Sequence, residues 1–308
     1  MPLPIEKTIV ELSSSDTLLN SRLATLSHLS AAEMLVFRGA WGAIETRRRR
    51  EIINRLVEMA EENVELNFDC IFKYCLKDQD DEVRSKAIEG LWENEEASLV
   101  SPLINLLEQD TSEQVRAAAA KALGKFTMLA EHNKLRSCHV SRLGESLLAV
   151  IGDTNRTLEV RRRALEAVAP LDLPEVKDTI MAAYQSGDDM LKIGAIYAMG
   201  RNCAADWLPI LLKELGSDDA EVRYEAAGAC GELEEEGAVP CLIKLVNDQD
   251  ADVQMAAIQA LGKIGGTKAR ECLEHCLSGS GQAIRHIAGE ALRELEEKAA
   301  LSSFGPLS

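Results

Sequence analysis

Apolar residues recur along this chain with the rhythm of a helix, not that of a strand. The segment Asp250-Ala-Asp-Val253-Gln-Met-Ala-Ala257-Ile-Gln-Ala-Leu261-Gly262 shows the pattern. With Val253 as position 0, a capping residue stands at −3, an apolar residue at 0, alanine at +4, an apolar residue at +8 and often glycine at +9. The pattern returns with zero positions at Val83, Val115, Val160, Leu191, Val222, Val253 and Ile284, at intervals of 32, 45, 31, 31, 31 and 31. A degenerate eighth copy starts from Ile52, with Leu56 and Ala60 at +4 and +8. At about 100° per residue, positions 0, +4, +5, +7 and +8 share one arc, so each copy predicts an amphipathic helix with one buried stripe.

Each offset has a physical reading. Position −3 holds Asp80, Ser112, Thr157, Asp188, Asp219, Asp250 and Gly281, all suited to cap unpaired first-turn amides. Position +7 is always small, from Gly90 through Ala122, Ala167, Ala198, Ala229 and Ala260 to Ala291, which lets helices approach closely. The glycines at +9, Gly124, Gly200, Gly231 and Gly262, read as left-handed helix stops. A second helix precedes each capped one. Its marker is an apolar residue at −11: Trp41, Phe72, Ile104, Ile180, Leu211, Leu242 and Leu273, with Ala149 the weak exception. Pro102, Pro209 and Pro240 share offset −13 and read as first-turn residues, where no amide partner is lost. Each copy is therefore helix A, an Asp-containing turn and helix B. Stacked copies predict an all-α solenoid.

The motif Asp-x-x-Val-Arg-x-x-Ala-x-x-x-Leu-Gly with a period near 31 resembles HEAT repeats of the phycobilisome-lyase-like type, over roughly residues 31–296. The resemblance implies a right-handed α-α superhelix of about eight helix pairs. It also implies a functional range that includes scaffolds, bilin-lyase subunits, di-iron deoxyhypusine hydroxylases and, more distantly, HEAT-like DNA glycosylases. In domain terms the expectation is a capping helix over residues 1–30, entered by a start signal at Ser13–Asp16. The solenoid follows over 31–298, with an insertion near 127–146, and then a flexible tail over 299–308.

Charge narrows the range. The 308 residues carry 34 basic and 51 acidic side chains, a formal net charge of −17. General nucleic-acid binding is disfavoured, because phosphates are recruited by basic surface. No apolar run is long enough for a membrane span, and Met1–Asp16 lacks the basic start and apolar run of a secretory signal.

The resemblance implies iron ligands built from His-Glu dipeptides. Here His28, His132, His139, His275 and His286 are followed by Leu29, Asn133, Val140, Cys276 and Ile287, so those ligands are missing. Cys272, His275 and Cys276 share about one helical turn but lack a fourth zinc ligand. Cys75, Cys230, Cys241, Cys272 and Cys276 occupy offsets that are apolar in other copies, which reads as buried free thiols in a reducing cytoplasm. No metal site and no cofactor are expected. Neither a Gly-rich phosphate loop nor a nucleophile elbow is present, so no catalytic residue is assigned.

Basic residues recur at +1: Arg84, Arg116, Arg161, Lys192, Arg223 and Arg285, with Gln254 the exception. They read as a ladder reaching acids in the next unit's turn. The run Arg47–Arg50 has two readings, an acidic-partner or phosphate site and a solvated helix start. On the B helices, the face opposite the core carries +2, +6, +9 and +10. Ile193, Tyr197, Tyr224 and Met255 would form an apolar stripe there, flanked by Arg162, Arg163, Glu166, Arg201, Glu225 and Glu232, with Trp92 at a +9 position. Again two readings stand: a concave groove for a peptide or protein partner, or tyrosines that only cover neighbouring helices. The functional expectation is a cytoplasmic, non-catalytic scaffold or adaptor that binds protein through this groove. The alternative is an accessory subunit that cradles a client for a lyase-type or maturation enzyme.

Overall fold

The computed structural model describes residues 4–14, 17–279 and 281–303. It comprises two compact units, Met1–Val160 and Arg161–Ser308. Among the described residues there are eighteen α-helices and no strand.

The first unit opens with α1 (Pro4–Ser14) and the short α2 (Asn20–Leu23). Three pairs follow: α3 (Ala31–Trp41) and α4 (Thr46–Glu62), α5 (Asp69–Cys75) and α6 (Asp81–Gly90), and α7 (Val100–Gln109) and α8 (Glu113–Glu131). α9 (Ser137–Gly152) lies in the first unit, and α10 (Leu158–Val168) begins in the first unit and ends in the second. The second unit continues with α11 (Pro174–Tyr184) and α12 (Asp189–Asn202), then α13 (Leu208–Glu214) and α14 (Ala220–Leu233). It closes with α15 (Val239–Leu245) and α16 (Ala251–Ile264), then α17 (Thr267–Gly279) and α18 (Gln282–Ser303). Within the second unit each A helix packs on its own B helix, and the B helices α12, α14, α16 and α18 pack in series. The architecture is an α-solenoid of helix pairs.

The sequence pattern explains most boundaries. Ser30 caps α3 in a reciprocal arrangement with Glu33. The side chains of Asp80, Asp188, Asp219 and Asp250 accept first-turn amides of α6, α12, α14 and α16. Ser112 makes no such bond. Its amide instead donates to Asp110 Oδ1 at 2.9 Å. Pro209 and Pro240 stand in the first turns of α13 and α15, each entered through a short 3-10 turn. The −11 residues Trp41, Phe72, Ile104, Ile180, Leu211, Leu242 and Leu273 are all buried. Ala149 is exposed, and Leu147, Val150 and Ile151 supply the core of α9 in its place.

Three expectations are corrected. The +9 glycines do not end their helices: α8, α12, α14 and α16 continue to Glu131, Asn202, Leu233 and Ile264. The backbone turns positive in φ later, at Asn133, Cys203, Glu234 and Gly265. What three of these glycines provide is close approach. A Cβ on Gly200 would lie 2.6 Å from Ala229 Cα, one on Gly231 3.0 Å from Ala260 Cα, and one on Gly262 2.7 Å from Ala291 Cβ. The +9 glycine of one repeat thus meets the +7 alanine of the next, and neither position admits more bulk. Second, Ser13 and Ser14 lie at the end of α1, not at the start of a helix, and the remainder of that signal, Ser15 and Asp16, falls outside the described residues. Third, the final helix runs on to Ser303 instead of stopping near Lys298, and residues 304–308 fall outside the described residues.

Candidate functional site

The turns between A and B helices hold the charged network. Arg84 donates from Nε and Nη2 to Asp110 at 2.8 and 2.7 Å, and also reaches the carbonyls of Asp78 and Gln79 in its own turn. Arg223 repeats this on Asp248, at 2.8 Å twice, with the carbonyls of Ser217 and Asp218. Each arginine therefore ties its own turn to the following one. Lys192 reaches Glu214 at 2.8 Å, and Gln254 keeps only the local half, donating to the Asp248 carbonyl. Arg116 turns to the carbonyls of Leu107 and Glu108 and to Glu113, not to an acid of the next turn. The acceptors Asp110 and Asp248 share offset −5, a repeat position that the sequence reading did not single out.

The run Arg47–Arg50 begins α4 and belongs to the same kind of network, and only part of it is solvated. Arg48 and Arg49 are buried. Arg48 donates to the Leu12 carbonyl at 2.7 Å and pairs with Glu51. Arg49 donates to the Ile44 carbonyl and to Asp78, and Arg50 grips Asp80 with two nitrogens at 2.8 and 2.6 Å. Only Arg47 has a largely exposed side chain.

The candidate binding residues divide between the units. Trp92 lies in the first unit, beyond the end of α6, and is 56% exposed. It lines a hollow of about 380 Å³ with Ile88, Glu89, Lys121 and Lys125. Lys125 closes the end of α6 by donating to the carbonyls of Leu91, Trp92 and Asn94 at 3.0, 2.8 and 2.6 Å. In the second unit, Tyr197 and Tyr224 are 39% and 44% exposed and Met255 is half-buried. Ile193 does not join them. It is buried at 7% exposure. One residue further along α12, the Arg162 side chain covers Gly194 so closely that a Cβ there would meet its Cγ at 2.6 Å.

Two hollows flank Tyr224. The first, about 220 Å³, is lined by Tyr197, Arg201, Tyr224, Glu225, Glu232 and Lys263, among others, over the bare Gly228. Glu232 bridges Arg201 and Lys263 across three consecutive B helices. Glu166 is held by Arg162 at 3.3 Å and Arg163 at 2.9 Å. Burial and the facing Glu166 carboxylate push Glu225 up to about 7, despite the nearby Arg162 and Arg163. The second hollow, about 490 Å³, lies between α14 and α16. Its lining includes Ala220, Tyr224, Met255 and Ala256, with Glu221, Asp250 and Asp252 at the rim.

All eight cysteines are free. Cys75, Cys230 and Cys276 are buried, and burial raises the Cys230 thiol to about 12 and that of Cys272, half-buried, to about 11. Among the described residues, no three His, Cys, Asp or Glu side chains are grouped so as to hold a metal ion. Among the same residues no helix is long and apolar enough to cross a membrane.

Helix pairs joined by repeated turn ladders and by B-helix joints of glycine on alanine define a repeat solenoid. The chain belongs to the HEAT-repeat family: the profile for HEAT repeats matches residues 71–138 and 208–293, half of its length. Among solved structures, the complex of CpcE and CpcF of phycocyanin lyase from Nostoc sp. PCC7120 is similar at 19% identity, over 96% of this chain and 95% of that one, with a TM-score of 0.51. The E. coli protein YibA matches at 17% identity over 80% and 96% of the two chains, with a TM-score of 0.46. Human deoxyhypusine hydroxylase matches at 19% over 95% and 96%, with a TM-score of 0.31. At these identities the likeness is one of fold. No curated protein matches the sequence significantly.

Proposed function

We propose that this protein is a non-catalytic interaction scaffold that holds a peptide or an extended segment of a protein partner across α12, α14 and α16. The observation that carries the reading is the pair of hollows flanking the exposed ring of Tyr224, with Tyr197 and Met255 as the other apolar members. Exposed aromatic and methionine side chains inside a charged rim suit anchoring of apolar partner side chains. Arg162, Arg163, Glu166, Arg201 and Glu225 would form that rim, held by the ion pairs described above. Trp92 and its hollow would be a separate contact point on the first unit. Eight free thiols are in keeping with a reducing, cytoplasmic setting.

The test is a binding measurement on a partner recovered with the intact protein. Tyr224→Ala is expected to weaken binding by about 2 kcal/mol, roughly 30-fold, with an unchanged melting temperature. Reversing Arg162 and Arg163 to Glu should mainly slow association and change its salt dependence. A partner indifferent to Tyr224→Ala would remove the surface from consideration. A second reading, an accessory subunit that cradles a client for an enzyme, is favoured by the fold likeness to the phycocyanin lyase complex. A chromophore or client that the purified chain delivers to a separate enzyme would decide for it.

A further inference from the structure

The two hollows beside Tyr224 differ in charge. In the first, carboxylates and cations are matched: Glu232 is bridged by Arg201 and Lys263. The second has no cation in its lining. Its floor is Ala220, Ala256, Met255 and the Tyr224 ring, and its rim carries Glu221, Asp250 and Asp252. Asp250 is occupied as the cap of α16, accepting the amides of Asp252 and Val253. Glu221 and Asp252 are exposed and take part in no hydrogen bond or ion pair through their carboxylates among the described residues. The nearest arginine in sequence, Arg223, is committed to Asp248 on the turn side of α14. Residues 217–260 as a whole hold 11 acidic and two basic side chains.

We infer that the hollow between α14 and α16 receives a lysine or arginine side chain of the partner segment, which rests on the peptide-binding reading above. The chemistry of the two parts matches such a side chain. The aliphatic stem would lie on Ala220, Ala256 and Met255, covering apolar surface that is otherwise wet. The cationic head would sit between the Glu221 and Asp252 carboxylates and near the face of Tyr224, so that ion pairing and ring attraction act together. First-turn carboxylates already suit the positive end of a helix. An acidic side chain entering here would meet three carboxylates and no cation. The hollow beside Trp92 has the opposite bias, with Lys121 and Lys125 against a single Glu89. Preference for basic segments is thus a property of the α14–α16 hollow and not of every cleft on the molecule.

The experiment uses the full chain as bait for a random dodecapeptide phage library, followed by affinity measurements on synthetic peptides from the recovered sequences. Peptides carrying Lys or Arg are expected. Their binding should weaken about fivefold in the double variant Glu221→Gln, Asp252→Asn and roughly 30-fold in Tyr224→Ala, and should weaken as salt rises from about 0.15 to 0.5 M. Both variants change exposed side chains, and their melting curves check that the fold is kept. Peptides that depend on Tyr224 but are neutral or acidic, and ignore the double variant, would overturn the cationic assignment and leave the peptide-binding reading standing. Peptides indifferent to Tyr224→Ala, or no peptides at all, would overturn both.

Discussion

Gly200 and Gly228 occupy helices of the same solenoid, yet the same substitution should act on them in opposite directions. A Cβ on Gly200 would fall 2.6 Å from the backbone of Ala229, whereas one on Gly228 meets nothing within 4 Å. Gly200→Ala should force α12 and α14 apart and cost about 1–3 kcal/mol. Gly228→Ala removes backbone freedom from the unfolded chain and should stabilise by about 0.5–1 kcal/mol. Thermal melts of the two variants check the pair, and equal effects would count against the joint. The recurrence of glycine at +9 was legible in the sequence, but its reason was not. A capping role can be read from one helix alone, whereas close packing involves an alanine in the next repeat. Glu225 gives a second residue-scale expectation. Its folded-state value near 7 lies above the ordinary 4.5, so between those limits the folded chain keeps a proton that the unfolded chain has lost. Stability should therefore decline as pH rises through that window. Glu225→Gln should be more stable than the parent by about 1 kcal/mol at pH 8, and the difference should vanish near pH 4. Denaturant titrations at the two pH values decide it.

Among the elements, the turns are where neighbouring repeats are tied. Asp248 is almost enclosed, accepts two nitrogens of Arg223, and also accepts the Asp250 amide. Asp248→Ala would leave Nε and Nη2 of Arg223 without their acceptor and remove the Asp250 amide's partner at the start of α16, for an expected cost of about 2 kcal/mol in denaturant unfolding. The Arg223 hydrogen bonds hold the Asp248 carboxyl below its ordinary 3.8, and those of Arg50 do the same for Asp80. Both contribute stability that is complete above about pH 4 and lost as pH falls through the depressed folded values. Asp248→Ala should accordingly show a smaller acid-side decline than the parent. The basic half of this ladder was legible from the recurrence at +1, and so were the aspartate caps. The −5 acceptors were harder to see, because an aspartate in a turn looks like any other turn residue until its partner is placed beside it. Arg47–Arg50 misled for a related reason: four consecutive arginines suggest solvated charge, yet two of them satisfy buried carbonyls.

For the whole molecule, the helical architecture and the number of pairs followed from periodicity, since a buried stripe repeated every 31 residues has few other solutions. The candidate surface was less legible. Tyr197 and Tyr224 emerge from the face opposite the core, but Ile193 at the same offset as Tyr224 does not. A helical wheel knows only the helix behind it, and each central B helix also has neighbours on both flanks. A net charge of −17 would attract divalent metals loosely, so the relevant quantity is stoichiometric retention. Purified protein is expected to hold far less than one equivalent of iron or zinc by elemental analysis. One equivalent that disappears in a Cys272, His275 and Cys276 triple variant would reverse the assignment of those thiols as apolar filling.

The joints Gly200 on Ala229, Gly231 on Ala260 and Gly262 on Ala291 are interchangeable parts. Any segment of 31 residues cut between equivalent positions of these repeats carries one complete half-joint at each end. Duplicating it presents the same glycine to the same alanine, and excising it rejoins the same two surfaces. The length of this region is therefore open to change by unequal recombination in whole repeats, without any new interface having to be invented, while the surface gains or loses one rung of side chains at each event.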